Sequence, residues 1–377
     1  MFYPTMNSSK KLIIFSYDFP PSNGGIARLC QEIAVGMKPY YHSVLVLTRE
    51  NDGVNMPYNL KEVEVVRLPR KRVACELKAI KLLSKIKGKD NYDILCGTWH
   101  PEAVLSKISG FRSIFILAHG AELTSGNSSF RKNIWLSLYA RFILSHVKLI
   151  IANSSFTRNL VCKISNSAIC EGLPLGVNHN FFKPLNLKHS NGILKICTVS
   201  RIEDFKGHDF VANTLLKLEK NYPGKIIWNI AGTGGYFNEL IQIINNLRIS
   251  HLVKFHGFVK DEDLPNFYNS NDLFILCTKD NPKDINVEGF GLVFLEAQSC
   301  GIPVIGTRTG GISDAIEENK GGWLIEQNNE SDLYDLISSL LNNRSFLNTQ
   351  GLEARKRVEE KCTWEIYCKN LSQIMKR

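Results

Sequence analysis

Short apolar, β-branched runs alternate along the chain with stretches of amphipathic, helix-like periodicity, and this alternation limits the fold more than any other feature. The runs lie near Leu12–Ser16, Ser43–Leu47, Val63–Arg67, Asp93–Cys96, Ser113–Ala118, Lys148–Ala152 and Ala168–Glu171. After the polar segment Lys183–Asn191 the same rhythm starts again, near Leu194–Ser200, Lys225–Ala231, Leu252–Phe255, Asp272–Cys277, Pro303–Gly306 and Gly322–Ile325. Strands that alternate with helices pair in parallel, with crossovers packed on both sheet faces. The pattern therefore predicts α/β architecture: two Rossmann-like, doubly wound parallel sheets, with a boundary near residue 187. With 377 residues and 44% hydrophobic content, each half can bury its own core. Residues 1–187 form the expected first domain, 188–360 the second, and 361–377 a terminal helix. Thr363–Arg377 places Trp364, Ile366, Tyr367, Leu371 and Ile374 at helical spacing.

Parallel sheets bind ligands beyond the carboxyl ends of their strands, so the segments after each run carry the candidate chemistry. In Glu288-Gly-Phe-Gly-Leu-Val-Phe-Leu-Glu296 two carboxylates bracket a glycine turn that opens a helix near Leu292. Gly289 and Gly291 let backbone N–H groups, with those of Phe290 and Leu292, approach an anion, and the helix points its partly positive end at the same place. Phosphate suits that position. Glu288 and Glu296 can each accept hydrogen bonds from vicinal hydroxyls, one sugar ring per carboxylate.

Arg201 and Lys206 stand five residues apart on the loop after Leu194–Ser200. A planar guanidinium and a compact ammonium can stabilise a departing diphosphate together. Gly232 and Gly234 follow another strand, a common nucleotide-loop signal that departs from G-x-G-x-x-G because residue 237 is Phe. In the first half, Gly24 and Gly25 precede a helix beginning near Ile26 and suit a phosphate-facing loop. His119 ends the run Ser113–Ala118, where an imidazole can bind sugar hydroxyls or assist proton transfer.

The Glu-x7-Glu segment, with these elements in this order, resembles the GT-B retaining glycosyltransferases of family GT4 over nearly the whole chain, mannosyltransferases of the phosphatidylinositol mannoside type and polysaccharide-biosynthesis members included. The resemblance implies two Rossmann-like domains facing each other across a cleft, with the last helix crossing back to the first. It implies that Arg201 and Lys206 contact the donor diphosphate, that Glu296 holds the ribose, and that Glu288 and His119 hold the transferred sugar, His119 near its 6-hydroxyl. Phe258 and Val259, in Phe255-His-Gly-Phe-Val259, resemble the nucleobase pocket, and Gly24–Gly25 the family's glycine loop. Asn153–Ser154 and Gly176-Val-Asn178 resemble family loops, although Asn178 stands where Asp is usual.

The implied activity is transfer of a hexose, mannose from GDP-mannose in the first instance, onto a lipid-linked or polysaccharide acceptor, with retention and without a metal or other cofactor. A UDP-hexose or UDP-N-acetylhexosamine donor is the enzymatic alternative, and a catalytically silent sugar-binding scaffold the other. No Asp-x-Asp pair is expected at a strand end, and the ten scattered cysteines show no metal-ligand spacing, which predicts reduced, mostly buried thiols. Through residue 185 there are 24 Lys and Arg against 12 Asp and Glu, leaving 22 against 24 for the rest. A positive first half implies an anionic partner. Without interleaved aromatics of the RRM type, nucleic acid is not expected. An anionic membrane surface is, through the basic segment 67–89, in which Leu77, Ile80, Leu83 and Ile86 alternate with Lys78, Lys81, Lys85, Lys87 and Lys89. The apolar run at Leu12–Phe15 is too short for a signal or a span, so a cytoplasmic protein, peripheral on the inner membrane face, is expected. Asn51–Leu60 and Ser125–Lys132 are candidate acceptor loops.

Overall fold

A computed structural model describes residues 9–22, 24–50, 60, 63–185, 192–281 and 285–377. The chain divides into two compact units, one formed by the chain up to Leu175 together with Trp364–Arg377, the other by Gly176–Thr363. The expected boundary at 187 and most of the loop Asn51–Leu60 lie outside the described residues.

The first unit holds β1 (Lys11–Phe15), β2 (Val44–Arg49), β3 (Glu64–Leu68), β4 (Tyr92–Cys96), β5 (Ile114–Ala118), β6 (Leu149–Ala152) and β7 (Cys170–Gly172). They form one sheet in the order β3-β2-β1-β4-β5-β6-β7, with every pairing parallel. The second unit holds β8 (Leu194–Val199), β9 (Ile226–Ala231), β10 (Val253–Gly257), β11 (Leu273–Leu276), β12 (Val304–Thr307) and β13 (Gly322–Ile325), in the order β10-β9-β8-β11-β12-β13, again parallel. Each strand lies within about two residues of its expected place. The reason is that helices cover both faces, so β5, β6 and β11 are buried at every position and read as unbroken apolar runs. The edge strand β10 alternates in exposure instead.

In both sheets the strand order reverses beside the first strand, at β1 against β4 and at β8 against β11. Such a reversal opens a crevice where two crossovers leave in opposite directions, the usual ligand position in this architecture. The C-terminal helix Trp364–Lys376 buries Trp364, Tyr367, Cys368, Leu371, Ile374 and Met375 in the first unit. It lies so close to the helix Gly25–Gly36 that a Cβ at Gly36 would stand 2.4 Å from the Cys368 sulfur. All ten cysteines are unpaired, and all but Cys162 are buried. No helix of the described residues is long and apolar enough to cross a membrane.

Beside the β1–β4 reversal one carboxyl group is fully enclosed. Glu102 accepts the Tyr17 N–H at 3.0 Å and the Thr98 hydroxyl at 2.5 Å, yet burial outweighs these bonds and pushes its pKa up to about 7. A raised carboxyl binds its proton more tightly folded than unfolded, so stability falls as pH rises from the unfolded value toward 7. We expect a loss of about 3 kcal/mol across that window. Urea unfolding of Glu102→Gln over the same pH range should show that slope removed.

Candidate active site

The second unit gathers most of the candidate residues at the carboxyl ends of its strands. After β8 the chain runs through a short turn at Asp204–Lys206 into the helix His208–Asn221. That turn aims Lys206 at the loop after β11, where its Nζ donates to Glu288 Oε2 at 2.6 Å. The two side chains are only 11% and 16% exposed, so the pair is largely shielded from solvent. The same ammonium lies 4.9 Å from the Phe205 ring centre. Arg201 is exposed and makes no ion pair among the described residues. Lys279, in contrast, is neutralised by Asp209 at 2.7 Å and Asp204 at 3.1 Å. His208 is buried beneath this loop, and burial, then Lys206 and Lys279, lower its pKa to about 3. It therefore stays neutral, with Nε2 3.3 Å from the Ser200 hydroxyl.

Glu288 is held by its backbone as well. Its carbonyl accepts the Gly311 N–H at 2.8 Å, and Gly310, at φ +52°, lies so close that a Cβ there would be 2.2 Å from the same oxygen. Thr309, next in line, shares a buried hydroxyl cluster with Thr278 and Thr307: the Thr278 and Thr309 hydroxyls lie 2.8 Å apart, and Thr307 donates to the Thr278 carbonyl at 2.7 Å. These bonds tie the ends of β11 and β12 together and fix the loop on which Glu288 rests.

Beyond Glu288 and Gly289, Phe290 is buried and Gly291 begins the helix Leu292–Ser299. The helix has no side-chain cap and no acidic residue in its first turn; the Phe294 N–H is given to the Gly291 carbonyl at 3.0 Å, and no side chain among the described residues caps the amides before it. Glu296, one turn on, is buried and accepts the Tyr268 hydroxyl at 2.9 Å. Burial and Glu296 push the Tyr268 phenol far above its ordinary range, so it remains a donor.

Gly232 and Gly234 have a packing reason for being glycine. Cβ atoms there would stand 1.8 Å from the Ser200 carbonyl oxygen and 2.2 Å from that of Ile202, because the loops after β8 and β9 run backbone against backbone. The Gly232 N–H is already given to the Gly257 carbonyl at 2.7 Å. Phe258 and Val259 follow β10 directly, with the Phe258 ring exposed. The strand runs two residues past its expected end, which brings Asp261-Glu-Asp263 to a turn four residues beyond it. This corrects the expectation of no Asp-x-Asp near a strand end. Among the described residues no group of three His, Cys, Asp or Glu could hold a metal.

In the first unit Gly24 precedes the helix Gly25–Gly36, just past β1. His119 follows β5, and its Nε2 donates to the Gly97 carbonyl at 2.7 Å, which leaves Nδ1 as an acceptor. The His119 N–H is taken by Glu122 at 2.7 Å, and its carbonyl accepts from Asn153 at 3.3 Å. Gly97 itself donates to the Phe15 carbonyl at 2.8 Å, so the imidazole is referenced to β1 through β4. Asn178, in the second unit, accepts the Phe181 N–H at 3.1 Å and closes a turn. Ser125–Lys132 is only partly a loop, since Arg131 already begins a helix.

Sequence reasoning misses Tyr268, Gly97 and the three threonines. Of these only Thr307-Arg-Thr309, leading into Gly310–Gly311, carries a local signal, a glycine pair after a strand.

Two parallel α/β units with these strand orders have the architecture of the GT-B fold. The chain belongs to glycosyltransferase family 4: residues 23–181 match the model described as Glycosyltransferase Family 4, and residues 183–360 the one described as Glycosyl transferases group 1. It is 25% identical to a GDP-mannose-dependent monoacylated alpha-(1-6)-phosphatidylinositol monomannoside mannosyltransferase of Corynebacterium glutamicum, over 98% of this chain and 99% of that one. It is 24% identical to the GDP-mannose-dependent alpha-(1-6)-phosphatidylinositol monomannoside mannosyltransferase of Mycobacterium tuberculosis, over 97% and 98%. Among solved structures it is similar to HepE of Anabaena in complex with UDP, with a TM-score of 0.76, 19% identity, and coverage of 97% and 99%.

The Gly310 contact gives a direct test of how Glu288 is held. Gly310→Ala must displace the Glu288 backbone, and steady-state kinetics should show kcat/KM lower by about a hundredfold, the usual cost of shifting a reacting group by an ångström.

Proposed function

We propose that this transferase moves a hexose, mannose from GDP-mannose in the first instance, onto a lipid-linked or polysaccharide acceptor, retaining the anomeric configuration and using no divalent metal. The observation that carries the reading is the shielded Lys206–Glu288 pair, with Arg201 on the same loop as Lys206, exposed and without an ion pair among the described residues. One cation is pre-positioned by a carboxylate and the other is free to close on a ligand. The GDP-mannose-dependent relatives, which match over almost their whole length, favour this donor. The UDP found in the HepE structure is what favours a UDP-sugar as the second reading.

As the bond to the sugar breaks, negative charge grows on the departing diphosphate. Arg201, Lys206 and the amides at Gly289–Gly291 receive it, in the part a divalent cation would otherwise play. Glu288 accepts hydroxyl protons of the transferred sugar while keeping Lys206 in place. His119, with Nδ1 left as an acceptor, is assigned to a sugar hydroxyl. Glu296, desolvated and oriented by Tyr268, is assigned to the ribose. The acceptor hydroxyl attacks on the face that the diphosphate leaves, and a diphosphate oxygen takes its proton. The lipid-linked acceptor is met at a membrane surface, through the first unit.

Lys206→Ala should raise the barrier to turnover by about 2–4 kcal/mol, the range for a lost transition-state donor, measured as kcat with GDP-mannose. Tyr268→Phe should weaken donor binding, since a buried carboxylate that loses a partner costs about 1–3 kcal/mol. Thermal-shift titration with GDP, UDP and their hexoses, with and without magnesium, tests the donor. Stabilisation by the GDP series without magnesium is the expected result. A shift with the UDP series alone overturns GDP-mannose in favour of the second reading.

A further inference from the structure

The helical segment formed by Arg131–Ala140 and Arg141–Leu144 is apolar on two faces, and the fold covers only one. On the covered face Leu136, Ala140, Ile143 and Leu144 enter the core. Trp135 and Tyr139 join an aromatic cluster there, with the Trp135 ring 4.9 Å from His100 and 5.4 Å from Trp99, and the Tyr139 hydroxyl 3.1 Å from His100 Nδ1. On the other face Phe130, Ile134, Leu138 and Phe142, at steps of four residues, are 62%, 50%, 65% and 55% exposed. Single exposed apolar side chains are ordinary in any protein. Four in line on one helix form a patch that needs an occupant.

Charge identifies that occupant. From Leu123 to Cys170 the chain contains no Asp or Glu, and it carries six cations: Arg131, Lys132, Arg141, Lys148, Arg158 and Lys163. Lys132 and Arg141, both exposed, stand on the same helix as the apolar line. Arg131 donates to the carbonyls of Thr124 at 2.5 Å and Glu122 at 3.0 Å, which pins the start of the helix. A second copy would bring like charge to like charge at this face. A surface of hydrocarbon beneath anionic headgroups complements it in both respects.

We propose that this helix lies in the interface of an anionic lipid bilayer, with Phe130, Ile134, Leu138 and Phe142 at the headgroup–acyl boundary and Lys132 and Arg141 at the level of the phosphates. The proposal rests on the membrane contact assigned above and gives it a specific surface. It displaces the basic helix Arg72–Lys85 from that role. That helix buries Cys75, Ala79 and Leu83 and leaves Val73 and Leu77, near its start, as its large exposed apolar side chains.

The test is co-sedimentation of the full chain, without donor, on vesicles of phosphatidylglycerol with phosphatidylcholine and on vesicles of phosphatidylcholine alone. The wild type should prefer the anionic vesicles. Leu138→Glu with Phe142→Glu should reduce binding at least tenfold. Lys132→Ala with Arg141→Ala should reduce it roughly tenfold or more on anionic vesicles only, and less at high salt. All four side chains are exposed, so the melting temperature and the nucleotide-induced shift should be unchanged in both variants. Wild-type vesicle binding by the Leu138→Glu, Phe142→Glu variant overturns the proposal. So does self-association of the wild type in sedimentation that the same variant abolishes, which makes the face a contact between copies. Loss of the nucleotide shift with vesicle binding intact counts against the donor assignment and leaves this one standing.

Discussion

A parallel strand buried on both faces commits every side chain to packing, and that constraint organises the whole molecule. Neither face of β5, β6 or β11 has room for a functional group, so chemistry is pushed to the loops where strands end. Those loops then crowd one another wherever the strand order reverses. In the second unit the segments after β8 and β9 meet backbone to backbone, as do those after β11 and β12, and the glycines among them are there as much for approach as for ligands. What the crowding achieves is placement. Lys206 and Glu288 stand 82 residues apart in the chain and 2.6 Å apart in space because two crossovers leave the same crevice.

The charges there are already partly spoken for before any ligand arrives. Lys279 answers to two aspartates, Lys206 to Glu288, and His208 is held neutral by burial and by its cationic neighbours. Among the described residues Arg201 makes no ion pair, and it is the cation of the loop after β8 left without one. An anionic ligand there would meet one exposed cation and one whose position is fixed by a carboxylate, a division of labour between capture and alignment.

Much of the fold is legible in the sequence, because covered parallel strands appear as plain apolar runs and need no periodicity to be found. Helices are harder. Of the three-residue steps Leu77, Ile80, Leu83 and Ile86 in the basic segment, Leu83 is buried and Ile80 and Ile86 pack partly against the core, but Cys75 and Ala79 are buried as well and Leu77 stays outside. Arg131–Leu144 gives no clean period at all, since a helix apolar on two opposite faces cancels its own moment. In the candidate site, motif spacing points to Arg201, Lys206, Glu288 and Glu296 themselves. It is silent on Tyr268, which lies 28 residues from the carboxylate it holds, and on the hydroxyls of Thr278 and Thr309, 31 residues apart. Contacts between separate crossovers leave no local mark in a sequence.

The helix Trp364–Lys376 belongs by its packing to the unit that begins the chain. Its residues leave the ribosome after everything in the second unit. The first sheet is thus made early but lacks this helix until Trp364–Lys376 has been made, while the second unit, continuous in sequence from Gly176 to Thr363, can close beforehand. During that interval the helix Gly25–Gly36 lacks the Cys368 contact at Gly36, and the first unit stays open to chaperones or proteases.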